Sequence, residues 1–244
     1  MEEMADYDMM AAQVRARAGV SEVEFDAGLR SYMLKVYNYM AAGLAITAVV
    51  AAFAASNEAF IVAYMTSPLK WILFAAIIGF GWFGLPRLST MQPGAAQGLF
   101  WAFTAIMGVW LAPILVVYTG ASVARTFAIC AAMFAGMSLW GYTTKRDLTQ
   151  MGSFLFMGMI GLFIGFIVNM FLGSSIMHLA LSAIGVVIFT LMTAYDTQAI
   201  KSVYLQGMTE GRQDQMAIMG ASHLYMSFIN LFLMLLQFFG AADD

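Results

Sequence analysis

Seven long apolar stretches, separated by short polar segments, occupy the chain from about Lys35 onward. They run over residues 34–55, 69–86, 98–118, 122–142, 151–173, 177–200 and 216–240. Each has about the length, roughly 20 residues, that a helix needs to cross the hydrocarbon core of a bilayer. Their apolar residues do not alternate with polar ones, as they would in the strands of a membrane barrel. The pattern therefore predicts an all-α integral membrane protein, a bundle of seven transmembrane helices.

Polar residues are concentrated before the first apolar stretch and after the last one. Residues 1–31 contain half of the 14 acidic residues of the chain. We therefore predict an acidic cytoplasmic tail over residues 1–31, a transmembrane domain over 32–240 and a short acidic C-terminus over 241–244. The tail lacks the basic start and the early apolar run of a secretory signal, so we expect it to be retained.

Basic residues in the short loops predict the orientation, because they favour the cytoplasmic side. With the N-terminus inside, the basic residues of the inner side are Arg30, Lys35, Arg87, Lys145, Arg146, Lys201 and Arg212. The outer side then has only Lys70 and Arg125. This imbalance predicts a cytoplasmic N-terminus and, with seven spans, a C-terminus on the outer side.

Composition and charge exclude several classes of function. The chain has 244 residues, of which 62% are hydrophobic and 10% are charged, whereas a soluble domain is about a quarter charged. Its single cysteine excludes an intrachain disulfide, and a net charge of −3 provides no basic surface for nucleic acid. A secreted disulfide scaffold, a disordered regulator and a soluble nucleic-acid binder are therefore excluded.

The motifs of common enzyme sites are absent from the sequence. There is no His-Glu-x-x-His metal motif, no Gly-x-x-x-x-Gly-Lys phosphate loop and no Gly-x-Ser-x-Gly elbow. Ala194 and Tyr195 precede Asp196, in place of the Gly-x-Gly-Asp of an intramembrane aspartyl protease. We expect no enzymatic activity and no cofactor.

Asp196 is the one acidic residue well inside a predicted span. An ionised carboxylate at a helix centre costs roughly 2.5–3.5 kcal/mol on insertion scales, so its side chain should face protein or a water-filled cavity. One interpretation is an interfacial acid paired with a loop cation such as Lys201 or Arg87. The other is a titrating or ion-binding group, and the sequence leaves both open.

The seventh predicted span has a polar face. Its members follow i, i+4, i+7 spacing, which places them on one side of a helix: His223, Ser227 and Asn230. From the rise of about 1.5 Å per residue, His223 lies at a depth similar to that of Asp196. A histidine in such a place is more often a hydrogen-bonded packing residue than a functional one.

Three stretches near these polar residues carry distinctive motifs. They are Ala-Tyr-Asp-Thr-Gln at 194–198 followed by Lys201, Gly-Tyr-Thr-Thr-Lys-Arg-Asp-Leu at 141–148, and Phe-Ile-Asn-Leu-Phe-Leu-Met-Leu-Leu at 228–236. In type and order they resemble the motifs of the transmembrane Bax inhibitor motif family, in its YccA-like bacterial branch. The resemblance covers residues 29–240. It implies six helices around a central seventh and a pH-sensitive calcium leak across a membrane.

The resemblance also implies a switch made of two aspartates, on helices six and seven, that share a proton. Asp196 matches the first aspartate, and Arg87 is the expected partner of a latch with it. The chain departs from the family at the second aspartate, where it has Ser227. We therefore hypothesise a mixed pair of Asp196 and His223, in which acid charges the imidazole and hinders cation entry. Alternatively, the pair is lost and leak activity with it.

Two functions follow from the resemblance. The first is a pH-sensitive cation leak, calcium by resemblance, with Asp196 as the gating or ion-path carboxylate beside neutral oxygens of Ser227 and Asn230. Calcium prefers about six to eight oxygen ligands, so Asp196 makes only a weak calcium site that binds the ion transiently.

The second function is that of a non-transporting interaction protein. It would be a substrate or modulator of a membrane-bound AAA protease that seizes residues 1–31. The lipid bilayer and this protease are the expected partners, and a bacterial inner membrane is the expected location.

Overall fold

The computed structural model describes residues 21–205 and 210–240, and no β-strand occurs within these two ranges. The helices are α1 (Glu22–Ala55), α2 (Glu58–Thr66), α3 (Leu69–Gly79), a π-helical segment (Phe80–Gly84), α4 (Leu85–Leu88), α5 (Pro93–Leu111), α6 (Ile114–Val117), α7 (Gly120–Thr143), α8 (Thr149–Leu172), α9 (Ser175–Leu205) and α10 (Glu210–Phe239). The predicted C-terminus over 241–244 and most of the predicted tail lie outside the described residues.

Seven helical segments of the described chain are long and apolar enough to cross a membrane, which confirms the predicted all-α architecture. They are Glu22–Ala55, Leu69–Leu88, Pro93–Val117, Gly120–Thr143, Thr149–Leu172, Ser175–Leu205 and Arg212–Phe239. In the seventh, 72% of the most apolar window is buried by protein, against 11–44% in the others. The seventh span is therefore the most enclosed of the described spans, and its central position stays a prediction.

The first helix begins at Glu22, well before the apolar stretch that starts at residue 34. Ser21 and Glu24 form a capping box: Ser21 N donates to Glu24 Oε2 over 2.9 Å, and Glu24 N donates to Ser21 Oγ over 3.3 Å. Residues 22–31 of the predicted tail are consequently helical.

Prolines interrupt two of the spans, because proline lacks a backbone N–H donor. In the second span the π-helical segment lies directly before α4, which contains Pro86. In the third span α5 ends at Leu111, and α6 begins after Pro113.

The described residues divide into two compact units. The Tyr225 unit comprises residues 30–120 and 210–225, and the Asp196 unit comprises residues 21–29, 121–205 and 226–240. Each unit has its own buried contacts.

In the Tyr225 unit, a fully buried tyrosine joins three segments of the chain. The Tyr225 hydroxyl lies 2.6 Å from Thr47 Oγ1, and Thr47 Oγ1 donates to the carbonyl oxygen of Thr104 over 2.9 Å. Because Thr47 uses its proton on Thr104, Tyr225 is the donor to Thr47. The rings of Phe100 and Phe103 meet the Tyr225 ring edge-on, with centroids 5.9 and 5.8 Å away.

In the Asp196 unit, α8 and α9 pack along an apolar seam that contains Leu155, Leu162, Ile188 and Met192. Gly141 of α7 brings that helix against the backbone of Ala194 on α9, since a Cβ at Gly141 would lie 2.8 Å from Ala194 Cα. This close approach positions the turn of α9 that carries Asp196.

Candidate functional site

Asp196 lies on α9 with only 7% of its surface exposed. The Ser227 hydroxyl on α10, itself buried, donates to Asp196 Oδ2 over 2.6 Å. A buried carboxylate is costly unless a donor satisfies it. Ser227 provides such a donor without adding a second charge.

The next residue of the motif, Thr197, connects α9 to α7. Its Oγ1 donates to the carbonyl oxygen of Thr193 over 2.8 Å and lies 2.9 Å from Ser138 Oγ. Because the single Thr197 proton is used on its own helix, Ser138 is the donor in the second contact. All three residues are buried.

Gln198 connects α9 to the loop between α7 and α8. Its Oε1 accepts from Leu148 N over 2.7 Å, and its Nε2 donates to the carbonyl oxygen of Arg146 over 2.8 Å. Both Gln198 and the Leu148 side chain are buried. One amide side chain thus uses its donor and its acceptor on the same short loop.

Lys201 completes the motif one turn further along α9. Its Nζ donates to the carbonyl oxygen of Tyr142 over 2.9 Å and lies 5.1 Å from the centre of the Tyr142 ring. The cation therefore caps a carbonyl in the last turn of α7 and also forms a cation–π contact. The Asp26 carboxylate of α1 interacts electrostatically with the same lysine.

A further polar contact joins α9 to α10. Ser182 Oγ donates to the carbonyl oxygen of His178 over 2.9 Å and to Gln237 Oε1 over 3.1 Å. Gln237 lies seven residues after Asn230, so it extends the polar face of the seventh span toward the end of α10. Gln237 was not among the residues predicted from the sequence, although the i, i+4, i+7 spacing reaches it when continued.

The other predicted site residues have different surroundings. Asn230 is half-buried, and its Nδ2 donates to the carbonyl oxygen of Met226 on the same helix. His223 and Arg87 belong to the Tyr225 unit, and both side chains are exposed. The mixed pair with His223 and the latch with Arg87 stay predictions.

The acidic and metal-binding side chains do not form a cluster in the part of the chain that the structure describes. No group of three or more His, Cys, Asp or Glu residues is placed there to hold a metal ion. A cation at Asp196 would therefore rely on hydroxyl, amide and backbone oxygens for its other ligands, as expected for a weak site.

Comparison with known proteins identifies the family. The family model described as "Inhibitor of apoptosis-promoting Bax1" matches residues 29–244. The chain belongs to the Bax inhibitor family. The resemblance inferred from the three sequence motifs is thereby confirmed.

Relatives in this family cover nearly the whole chain. The uncharacterized protein RP147 of Rickettsia prowazekii is 44% identical over 220 residues, which are 90% of this chain and 93% of the relative. The inner membrane protein YbhL of Escherichia coli K12 is 41% identical over 223 residues, 90% of this chain and 95% of the relative. An uncharacterized protein of Caulobacter vibrioides is 39% identical over 238 residues, 90% of this chain and 92% of the relative.

The structure gives a physical reason for the family motif at 194–201. Each of its polar residues contacts a different part of the Asp196 unit: Asp196 contacts α10, Thr197 contacts α7, Gln198 contacts the α7–α8 loop and Lys201 contacts the end of α7. The second motif, at 141–148, supplies the partners of Gln198 and Lys201. Two motifs about 50 residues apart in sequence thus form a single set of contacts.

Proposed function

We propose that this protein is a pH-sensitive cation leak of an inner membrane, with calcium as the transported ion and Asp196 as the gating or ion-path carboxylate. The observation that carries the proposal is the buried Asp196 carboxylate, bound by a neutral hydroxyl inside a membrane-spanning helix pair. Membership of the Bax inhibitor family supports it. The name of YbhL supports the location, and the loop charges support a cytoplasmic N-terminus and an outer C-terminus.

An ionisable group in a membrane span is costly, and such groups mark ion or proton pathways by default. An ionised Asp196 attracts a cation into the bundle, whereas a protonated Asp196 is neutral and does not. Because the site pairs one carboxylate with a neutral hydroxyl, it binds a cation weakly and releases it readily, which suits a leak.

Ser227 determines how pH acts on this site. A hydroxyl can donate to an ionised carboxylate and, after rotation, accept from a protonated one. The contact between α9 and α10 therefore persists in both protonation states, and pH acts through the charge of Asp196. Acid removes that charge, so we expect the cation leak to decrease as the pH falls.

The test is calcium flux into proteoliposomes between about pH 5 and pH 8, a range that covers the expected transition. Wild-type protein should give a flux that decreases with acid. Asp196→Asn should give a low flux that no longer depends on pH. Glu58→Gln, at the exposed start of α2, is the control and should behave as wild type.

Two outcomes would contradict the proposal. A flux that Asp196→Asn leaves unchanged would exclude Asp196 from the gate and the ion path. The absence of any flux above empty liposomes, with folded wild-type protein, would exclude the leak itself and favour the interaction-protein alternative. The tail on which that alternative depends lies mostly outside the described residues.

A further inference from the structure

The loop between α7 and α8 is held to α9 by one buried side chain. Gln198 accepts from Leu148 N and donates to the carbonyl oxygen of Arg146, so its amide pairs with the backbone on both sides of Asp147. We propose that Gln198 is a positioning residue for Asp196, and that it transmits the state of this loop to the carboxylate. The inference rests on the proposed function, in which Asp196 is the gating group.

Contacts on several sides fix the turn of α9 that contains Asp196 within the Asp196 unit. Ser227 binds the carboxylate from α10, and Gly141 of α7 packs on the Ala194 backbone. Thr197 adds a contact with α7, and Gln198, two residues after Asp196, holds the turn to the α7–α8 loop. Because a helix turn moves as a unit, releasing one attachment changes how the Asp196 carboxylate is held against Ser227.

The attachment at Gln198 joins α9 to a loop whose outer side chains are exposed. The side chains of Lys145, Arg146 and Asp147 are exposed, whereas Gln198 and Leu148 are buried. The loop therefore has a surface that other molecules can reach and an inner side bound to α9. A change at the loop surface reaches Asp196 through the Gln198 amide.

The amide is chemically suited to this role because it is both a donor and an acceptor. Methionine has a similar length and forms neither bond, so Gln198→Met releases the loop without introducing a charge. Glutamate forms both bonds when it is protonated. When ionised it still accepts from Leu148 N but cannot donate to Arg146, so Gln198→Glu releases the loop only after ionisation.

The first measurement reports the loop itself. Purified protein in detergent is treated with trypsin, and the fragments ending at Lys145 or Arg146 are quantified by mass spectrometry. We expect cleavage about tenfold faster in Gln198→Met, and at alkaline pH also in Gln198→Glu, because a backbone held by two hydrogen bonds resists opening. Gln150→Met, exposed in the first turn of α8, is the control and should match wild type.

The second measurement reports Asp196 and does not require transport. The infrared carbonyl band of protonated Asp196 is identified by its loss in Asp196→Asn and is then followed as a function of pH. We expect the midpoint of this titration to shift by about half a pH unit or more in Gln198→Met, and not in Gln150→Met. If flux is present, its pH profile should shift in the same direction.

The two measurements separate the possible failures. Faster cleavage in Gln198→Met with an unchanged Asp196 titration would overturn the inference, because Gln198 would then only hold the loop. Unchanged cleavage would overturn it as well. Absence of flux in wild type, with a shifted titration in Gln198→Met, would contradict the proposed leak and leave the positioning role supported. If Gln198→Met does not fold, Gln198→Glu prepared at acid pH and raised to alkaline pH provides the same comparison.

Discussion

The Ser227 hydroxyl donates a hydrogen bond of 2.6 Å to Oδ2 of Asp196, and both side chains are buried. A second carboxylate at the position of Ser227 would have to share a proton with Asp196, since two adjacent carboxylates do not both ionise easily. A hydroxyl imposes no such condition. Asp196 can therefore ionise without electrostatic repulsion across the contact between α9 and α10.

Replacing Ser227 by alanine should destabilise the ionised form of Asp196. A hydrogen bond to a charged group contributes about 1.5–3 kcal/mol, and Ser227→Ala removes the donor while the carboxylate stays buried. We expect a lower unfolding temperature near neutral pH and a smaller decrease in acid, measured by thermal unfolding in detergent. Ser222→Ala is the control, because Ser222 is buried on the same helix and donates to the backbone carbonyl of Ile218. Equal, pH-independent losses in both variants would contradict the charge-based explanation.

Replacing Ser227 by aspartate should create the two-carboxylate pair that the family resemblance implies. The pair would hold one shared proton over a wider pH range, so the calcium-flux transition should move to higher pH. Asparagine is similar in size to aspartate but neutral, so Ser227→Asn should leave the transition near its wild-type position. A transition that moves equally in both variants would point to packing rather than to charge.

Replacing His223 by glutamine tests the mixed pair. If His223 and Asp196 titrate together, His223→Gln should remove any flux transition near neutral pH, where an imidazole changes its charge. The measurement is the flux profile of the variant beside wild type. An unchanged profile would exclude His223 from the switch and leave Asp196 as the titrating group.

Gly141→Ala should strongly destabilise the Asp196 unit. The new Cβ would lie 2.8 Å from Ala194 Cα, and backbone atoms cannot move aside as a flexible side chain can. Overpacking of this kind costs about 1–3 kcal/mol. Gly136→Ala is on the same helix with nothing within 4 Å, so it should be neutral or stabilising by up to about 1 kcal/mol. Similar unfolding temperatures for the two variants would contradict the close approach of α7 to α9.

In the Tyr225 unit, Thr47→Val should cost more than Tyr225→Phe. Valine at position 47 leaves a fully buried tyrosine donor without its acceptor, at about 1–3 kcal/mol, and also removes the bond from Thr47 to the Thr104 carbonyl. Phenylalanine at position 225 removes the tyrosine hydroxyl. The Thr47 hydroxyl then loses one contact but still donates to the Thr104 carbonyl. The double variant should be less unstable than the sum of the single variants, because both remove the same contact. Additive losses in free energy of unfolding would show that the two residues act separately.

The seven spans could be predicted from hydropathy because the bilayer sets both the length and the polarity of a crossing helix. Hydropathy does not detect where a helix extends beyond the bilayer, so the capped turn that begins at Glu22 was assigned to the tail. A search for capping residues would have found Ser21 and Glu24.

The site was predictable only in part. The cost of a charge in the membrane identified Asp196 as buried, but the spacing of the seventh span could not separate His223 from Ser227, which lie one turn apart on the same face. Gln198 was not identified as a contact residue, because its partners are the backbone groups of Arg146 and Leu148. Backbone donors and acceptors occur in every loop and have no sequence signature.

The burial of the seventh span has a consequence for biogenesis. The most apolar window of this span is 72% buried by protein. The ribosome synthesises this span after the other six. The surfaces that it covers stay open while the earlier helices enter the membrane one by one. Final packing must therefore wait until α10 is released from the insertion machinery. A nascent chain that stalls before that point would expose unpaired helix surfaces to the quality-control proteases of the membrane.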